Sequence, residues 1–365
     1  MLVAVVAAGL TVGYLFGMPG RNDDASAERP ALPEANAPLV VYTEFASSAD
    51  ALWVADPDDP SDRTQLALVP HAANYGIVAS LSPDAPRVAY TVLPTSAADP
   101  APDVPAQLWV LDLASADASL VADGIDLLVA PVWSPSGDAV VVRRSTWSDD
   151  VGGHFELLRV ALDGTSNTLV SSSDGLFPID FTPDGGAVYY ASIGAGGTDL
   201  LRASLAGAAA ASETVAHLSD GFARDWELSP DGSALAYLVD GPAGIAFEAK
   251  ILDLGSGAAG QAIAGEPLEA FSPAWTPDGT LTLGRTEGAA QVEGGAALSL
   301  PKPNGGFDAP LSWSPDGAHL ALRAFEGASV SEPGASRVVI ANGSTRHVLA
   351  DTGDLTVLGW LKVSP

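Results

Sequence analysis

The stretch WSPDG at residues 313–317 decides the fold, because the chain repeats it. Five earlier segments have the same form, a large apolar residue followed by Ser or Thr and then Pro: LSPDA from Leu81, WSPSG from Trp133, FTPDG from Phe181, LSPDG from Leu228 and WTPDG from Trp275. Their Ser or Thr positions are 52, 48, 47, 47 and 38 residues apart. A period of this length indicates one supersecondary unit used several times.

Each unit contains the same series of short strands. A strand ends at the large apolar residue, the turn follows, and a second, alternating strand comes next, as in RVAYTV, AVVVRR and HLALRA. A third strand and a weaker fourth complete the unit. Four strands in about 40 to 50 residues are typical of one β-propeller blade.

The two ends of the chain set the expected number of blades. Residues 38–69 supply strands two, three and four of a blade without a first strand, and the C-terminal segment DLTVLGWLKVSP places Trp360 where the other first strands carry their aromatic residue. We expect the C-terminal strand to join the N-terminal three, which closes the ring and removes two open edges. The prediction is an all-β propeller of seven four-stranded blades over residues 38–365. Six blades with an extra hairpin are the alternative.

The repeated turn has a structural explanation at every position. Proline presets φ at the second turn position, and glycine tolerates a positive φ. The Ser or Thr hydroxyl and the Asp carboxylate can bond turn amides. The turn aspartates are therefore interpreted as structural and not catalytic: Asp184, Asp231, Asp278 and Asp316.

Units such as LSPDGSALAYLV and WSPDGAHLALRA resemble the repeats of TolB-type (WD-like, tricorn-type) propellers, whose hallmark is aromatic-Ser-Pro-Asp-Gly followed by apolar-Ala-Tyr/Phe. Here LSPDAPRVAY lacks the Gly and WSPSGDAVVV lacks the Asp. The resemblance covers residues 38–365 and implies the propeller fold. It implies little about function, and residues 1–37 show no counterpart of the family's separate N-terminal domain.

The N-terminus predicts export. Residues 2–18 carry no charge and are just long enough to span a bilayer core as a helix. We expect one hydrophobic helix within residues 1–20, either a signal anchor or the apolar part of a cleaved signal peptide. Residues 21–37 are rich in Pro and Ala and predict a linker. The propeller is then extracytoplasmic, in the periplasm or at the cell surface, with membrane contact only through this helix.

Composition excludes several classes of partner and site. The net charge of −29, with only three lysines, argues against binding to nucleic acid or anionic lipid. The acidic surface either keeps the protein soluble or binds cations. The absence of cysteine excludes disulfides, thiolate zinc sites and a catalytic thiol. None of the five histidines has metal-site spacing, so no metal or other cofactor is expected.

Candidate site residues come from the propeller geometry. Loops between second and third strands, and connections between blades, lie opposite the repeated turn, and in related propellers that face usually binds the partner. Several of these loops are long, and the scarce arginines lie near them. The candidate binding residues are Arg143, Arg144, Trp147, Arg224, Asp225, Arg285 and Arg323, with Asp180, Glu227 and Asp308 expected at the channel mouth. In the alternative interpretation, the arginines only neutralise neighbouring acids.

The resulting functional hypothesis is a non-enzymatic, exported and monomeric propeller that binds a protein or peptide at the cell envelope. A glycan-active hydrolase or lyase using the central funnel is the alternative. A serine peptidase is not expected, because the sequence contains no Gly-x-Ser-x-Gly nucleophile elbow.

Overall fold

The computed structural model describes residues 32–33, 37–97, 104–148, 152–206, 212–242, 246–262, 269–286, 290–291, 305–343, 345–350 and 354–362. The predicted N-terminal helix and most of the predicted linker lie outside these residues. The described part of the chain contains strands, turns and loops and no helix. It therefore includes no helix long and apolar enough to cross a membrane.

Antiparallel sheets make up the whole of the described fold. Six of them have four strands and are called blades here. The closing blade contains β27 (Leu355–Leu361), β1 (Leu39–Glu44), β2 (Ala49–Ala55) and β3 (Arg63–Pro70). Blade 1 contains β4 (Val78–Leu81), β5 (Arg87–Val92), β6 (Ala106–Asp112) and β7 (Ala118–Ile125). Blade 2 contains β8 (Val132–Trp133), β9 (Ala139–Ser148), β10 (Gly152–Ala161) and β11 (Ser166–Ser172).

The remaining blades follow in chain order. Blade 3 contains β12 (Gly175–Phe181), β13 (Ala187–Gly194), β14 (Gly197–Ser204) and β15 (Ser212–Ser219). Blade 4 contains β16 (Ala223–Leu228), β17 (Ala234–Asp240), β18 (Phe247–Asp253) and β19 (Ala259–Gln261). A three-stranded sheet contains β20 (Phe271–Trp275), β21 (Leu281–Gly284) and β22 (Ala290–Gln291). Blade 5 contains β23 (Phe307–Trp313), β24 (Leu320–Phe325), β25 (Ser336–Ala341) and β26 (Arg346–Val348).

The predicted ring of seven four-stranded blades is shown only in part. Six four-stranded blades are present, and the sheet between blades 4 and 5 has three strands among the described residues. This sheet comes from the shortest repeat unit, since Thr276 and Ser314 are 38 residues apart. Residues 292–304, between β22 and blade 5, lie outside the described ranges.

The predicted closure of the ring is confirmed. Strand β27 pairs antiparallel with β1, with Trp360 opposite Val40 and Thr356 opposite Thr43. On the side of the repeated turns, the Asp58 carboxylate of the closing blade accepts hydrogen bonds from His319 Nε2 and Asn342 Nδ2 of blade 5, each at 3.0 Å. Backbone pairing and side-chain bonds therefore join the two ends of the chain.

The repeated turn is held by its hydroxyl group. In blade 5 the Ser314 hydroxyl donates to Asp316 Oδ1 at 2.6 Å and accepts from the His319 backbone N–H at 2.9 Å. The variant WSPSG has no Asp at the usual position, and there the Ser134 hydroxyl donates to Asp138 Oδ1 at 2.7 Å. The carboxylate is thus retained two residues later, which explains why this turn keeps the common geometry.

Tryptophan side chains link neighbouring sheets. The Trp133 indole N–H donates to the Ser80 carbonyl at 3.2 Å, and that of Trp360 donates to the Ser312 hydroxyl at 3.1 Å. The Trp275 indole donates to the Glu227 carbonyl at 3.0 Å, and Trp313 donates to the Thr282 hydroxyl at 3.1 Å. The aromatic residue of the repeat therefore both packs between sheets and satisfies its own polar atom.

The turns also stack on one another around the ring. Gly232 has φ +70°, and a Cβ atom at this position would lie 2.4 Å from Pro183 Cγ in the preceding turn. Gly279 has φ +88° and open space around the same Cβ position. The two glycines therefore share the conformational requirement, and only Gly232 has the close contact.

We expect Gly232→Ala to destabilise the fold by about 2–4 kcal/mol, because alanine is strained at positive φ and its Cβ atom clashes with Pro183. Gly279→Ala is the matched control and should cost only about 1–2 kcal/mol. Urea unfolding of the two variants measures the difference. Equal losses would show that the turns do not pack tightly against each other.

Candidate functional site

The propeller presents two faces and a channel. The first strands of successive sheets contact one another from β27 round to β23, which places them at the inner edge of the ring, beside the channel. The face that carries the repeated turns is called the turn face. The opposite face, formed by the loops between second and third strands and by the connections between sheets, is called the loop face.

Arg143 is a buried link between blades 2 and 3. Its side chain donates to Asp126 Oδ2 from Nε at 2.9 Å and to the Leu176 carbonyl from Nη1 at 3.3 Å. The guanidinium also lies 4.6 Å from the centroid of the Phe177 ring. Because only 9% of the residue is exposed, Arg143 acts in the packing of the ring and offers little surface to a partner.

Arg323 occupies the equivalent position in blade 5, nine residues after the turn serine. Its Nη2 donates to the Leu355 carbonyl on the first strand of the closing blade at 2.7 Å. Unlike Arg143, it makes no ion pair with any described residue, and it lines a pocket on the loop face. Each arginine therefore donates a hydrogen bond to a backbone carbonyl on the first strand of the next blade. The two differ in what surrounds their remaining N–H groups.

Other candidate arginines neutralise nearby acids, as the alternative interpretation predicted. Arg144 Nη2 lies 2.5 Å from Glu156 Oε2, and Arg224 Nε lies 3.2 Å from Asp225 Oδ1. Asp225 has a positive φ of 51°, which aspartate tolerates better than most residues. Arg285 is half-buried and makes no ion pair within the described part of the chain. Two of these three arginines are therefore neutralised by a nearby carboxylate.

Trp147 is the most exposed of the candidate residues. Its side chain lies at the loop-face end of β9, is 70% exposed and meets the Phe155 ring edge-to-face at 6.2 Å between centroids. The sequence did not predict four further large apolar side chains exposed on the same face: Phe45, Tyr75, Leu128 and Phe222. Each lies in a loop between strands, where a short sequence window shows no periodic signal.

Asp180 and Glu227, expected at the channel mouth, are exposed residues on neighbouring first strands. Each lies two residues before the Thr or Ser of its turn. Although solvent reaches both side chains, the surrounding protein atoms desolvate their carboxyl groups, which raises the pKa of Asp180 to about 6. Desolvation and the negative charge of Asp180 raise the pKa of Glu227 to about 8.

Asp308, the third residue expected at the channel mouth, is only 3% exposed. Its two carboxylate oxygens each accept a hydrogen bond of 2.7 Å from the Arg346 guanidinium. A carboxylate held by a bidentate arginine in the interior is a packing element of blade 5. It does not present an open group at the channel mouth.

A pocket of about 200 Å³ opens on the loop face where the ring closes, and is called the closure pocket. It is lined by Thr43, Phe45, Asp50, Gly76, Ile77, Arg323, Asp354, Leu355 and Thr356. A larger groove of about 550 Å³ lies on the turn face beside Trp360 and Leu32. Both linings include acidic and basic residues: Asp50, Asp354 and Arg323 in the closure pocket, and Asp84 and Lys362 in the groove.

One wall of the closure pocket is fixed by a buried aspartate–histidine contact. Asp50 Oδ1 lies 3.0 Å from His71 Nε2, and Asp50 Oδ2 accepts from the Ile77 backbone N–H at 2.8 Å. His71 is 2% exposed, and its Nδ1 lies 2.8 Å from the Ala72 carbonyl oxygen. Both ring nitrogens therefore have an oxygen within hydrogen-bond distance, which fixes the orientation of the imidazole against Asp50.

Comparison with known proteins gives a structural relationship. No protein-family model matches the chain, and no curated protein shows significant sequence similarity to it. Among solved structures, TolB from Acinetobacter baumannii is similar with a TM-score of 0.52 and 16% identity, covering 89% of this chain and 66% of that chain. The chain has the fold of a TolB-type β-propeller.

Enzymes share this fold. Puromycin hydrolase is similar with a TM-score of 0.58 and 15% identity, over 87% of this chain and 54% of that chain. Oligogalacturonate lyase from Vibrio parahaemolyticus has a TM-score of 0.54 and 12% identity, over 83% and 91% of the two chains. The chain thus spans about half to two thirds of the length of TolB and puromycin hydrolase. Within the described ranges, no three His, Cys, Asp or Glu side chains form a metal-ligand set.

We expect Arg143→Ala to lower the free energy of unfolding by about 3–5 kcal/mol, because it leaves Asp126 as an uncompensated buried charge. Arg144→Ala removes a half-exposed pair with Glu156 and should cost less than about 1 kcal/mol. Denaturant unfolding compares the two neighbours directly. A small loss for Arg143→Ala would refute its role in ring packing.

We expect Glu227→Gln to stabilise the protein above about pH 8 and to change little below about pH 4.5, the ordinary pKa. The folded state holds the proton more tightly than the unfolded chain, so wild-type stability falls as pH rises through this window. Because water in the channel screens the charge, we expect a gain on the order of 1 kcal/mol. Melting temperature against pH measures it.

Asp231→Asn is the opposite control for this experiment. Hydrogen bonds from Ser233 and Ser229 lower the Asp231 pKa to about 2. Its contribution to stability is present above its ordinary pKa of 3.8 and is lost as pH falls through about 2. The asparagine variant should therefore be less stable than wild type at neutral pH, and the difference should shrink toward pH 2 and disappear below it. A parallel response of the two variants would contradict both assignments.

Proposed function

We propose that the chain is a non-enzymatic platform that binds a protein or peptide through its loop face. The observation that carries the proposal is the exposure of Trp147 on that face. Tryptophan is enriched among residues that dominate binding energy, and the Trp147 indole, whose described ring contact is with Phe155, is 70% exposed. Loops held by a rigid scaffold are the usual location of binding residues.

The distribution of exposed apolar side chains supports this choice of face. Eight large hydrophobic residues are exposed in the described part of the chain, and five of them lie on the loop face. Besides Trp147, three of these five are aromatic: Phe45, Tyr75 and Phe222. The other three belong to outermost strands: Leu68, Leu120 and Val348. Aromatic residues are enriched at interfaces, and the net charge of −29 favours a partner with a basic surface.

The remaining parts of the proposal concern architecture and location. We propose that the three-stranded sheet is a seventh blade, because Trp275 and Trp313 hydrogen-bond it to both neighbours in the way that other blades are joined. The apolar residues 2–18 support export, as anchor or cleaved signal, with residues 21–37 as the linker. The platform then acts as a monomer outside the cytoplasm.

The channel carboxylates favour a glycan-active hydrolase or lyase as the second candidate. Asp180 and Glu227 have pKa values near 6 and 8, and neighbouring carboxyls with separated pKa values are typical of acid–base pairs. One protein of similar fold is an oligogalacturonate lyase. Release of unsaturated products from oligogalacturonate by wild type, and its loss in Glu227→Gln, would favour the enzyme over the platform.

We expect Trp147→Ala to abolish capture of the partner while leaving the melting temperature nearly unchanged, because the indole is mostly in water. Crosslinking and pull-down from native envelope, followed by identification of the captured protein, measures the effect. Leu120→Ala is the matched control, since it truncates an exposed apolar residue on an outermost strand. Equal capture by Trp147→Ala and wild type would argue against the loop face as the interface.

A further inference from the structure

The closure pocket contains an arginine without an acidic partner in a strongly acidic protein. The chain has 45 Asp and Glu residues, and nine of the eleven arginines in the described ranges make ion pairs with them. Arg323 is one of the two that do not. It is half-buried, and its only described bond is to the Leu355 carbonyl from Nη2. A guanidinium has five N–H donors, so most of them remain for an anionic group.

The same pocket contains a carboxylate that does not pair with this arginine. Asp354 lines the pocket and is exposed, and its side chain makes no ion pair with a described residue. Its backbone carbonyl accepts from the Phe45 N–H at 3.0 Å, which holds the residue at the pocket wall. Asp50 is not available in the same way, because His71 and the Ile77 amide occupy its two oxygens.

We propose that the closure pocket binds a small zwitterion of amino-acid size, with Arg323 binding the carboxylate and Asp354 the ammonium group. Opposite charges that face one cavity without bonding each other match a ligand that carries both. A simple anion is disfavoured by Asp354 and by the net charge of −29, and a simple cation is disfavoured by Arg323. The hydroxyls of Thr43 and Thr356 add neutral hydrogen-bonding groups to the lining.

The size of the pocket limits the ligand. A volume of about 200 Å³ holds roughly six or seven water molecules at about 30 Å³ each. Alanine falls in this range of non-hydrogen atoms and glycine is one atom smaller, whereas larger ligands usually need pockets of about 300–1,000 Å³. Nucleotides and oligosaccharides are therefore too large for it.

The pocket wall is rigid enough to orient such a ligand. The Phe45 ring, which lines the pocket, stacks on the His71 imidazole at 5.8 Å between centroids and 10° between planes. The buried His71–Asp50 pair holds that stack in place. A preformed wall reduces the ordering cost that a ligand of this size would otherwise have to offset.

The test is isothermal titration of the full chain with L-alanine, with acetate and methylammonium as single-charge probes. We expect saturable binding of L-alanine with a Kd of about 1 mM or lower and at least about tenfold weaker binding of either single-charge probe. Asp354→Asn should weaken L-alanine binding at least about tenfold, since it removes a charge-assisted bond. Arg323→Gln should do the same, and Arg285→Gln, the other described arginine without an ion pair, should bind as wild type does.

Arg323→Gln removes the Arg323–Leu355 bond and can weaken the fold as well as ligand binding. Asp354→Asn separates the two effects, because the Asp354 side chain makes no described bond. Absence of saturable L-alanine binding, unchanged affinity in Asp354→Asn, or equal affinity for acetate would each overturn the proposal. The inference goes beyond the platform function and fails separately from it, because Trp147→Ala leaves the closure pocket intact and Asp354→Asn leaves Trp147 intact.

Discussion

The pairing of β27 with β1 is the constraint on which the rest of the structure depends. Each sheet buries its faces against its neighbours, so a ring that stayed open would expose one face at each end and two strand edges. Pairing Leu355–Leu361 with Leu39–Glu44 joins the most distant parts of the chain in one sheet. Bringing together segments some 300 residues apart costs loop-closure entropy. The pairing within the closing blade and the Asp58 bonds to blade 5 offset this cost.

The fold could be predicted because its signal is local and repeated. A hydroxyl, a proline and a carboxylate within five residues determine each turn, and the alternation after it determines the next strand. The closure followed from counting strands at both ends. The prediction was incomplete at the three-stranded sheet, whose short unit carries the weakest strand pattern. It also did not foresee that Asp138 would replace the missing turn aspartate of WSPSG, because the replacement depends on where a side chain two residues later can reach.

The candidate site was harder to predict because its properties come from distant residues. Arg143 and Arg323 have the same position in the repeat, yet Asp126 neutralises the first and no described carboxylate neutralises the second. Nothing in the local sequence distinguishes them. Asp308 looks equivalent to other first-strand acids, and only the position of Arg346 makes it a buried pair. Asp180 and Glu227 have the same position relative to their turns, so the repeat by itself places them on neighbouring first strands.

The closure pocket links binding to the integrity of the ring. Its lining comes from the first strand of the closing blade, from the second strand of blade 5 and from the connection that leads into blade 1. A ligand that bridges Arg323 and Asp354 would contact blade 5 and the residue that directly precedes β27 of the closing blade. A ligand that binds the folded state and not the unfolded chain stabilises the fold by an amount set by the ratio of its concentration to its Kd. Occupancy of the closure pocket would therefore raise the free energy of unfolding of the closed ring, and this gain would be lost when the ring opens and the pocket with it.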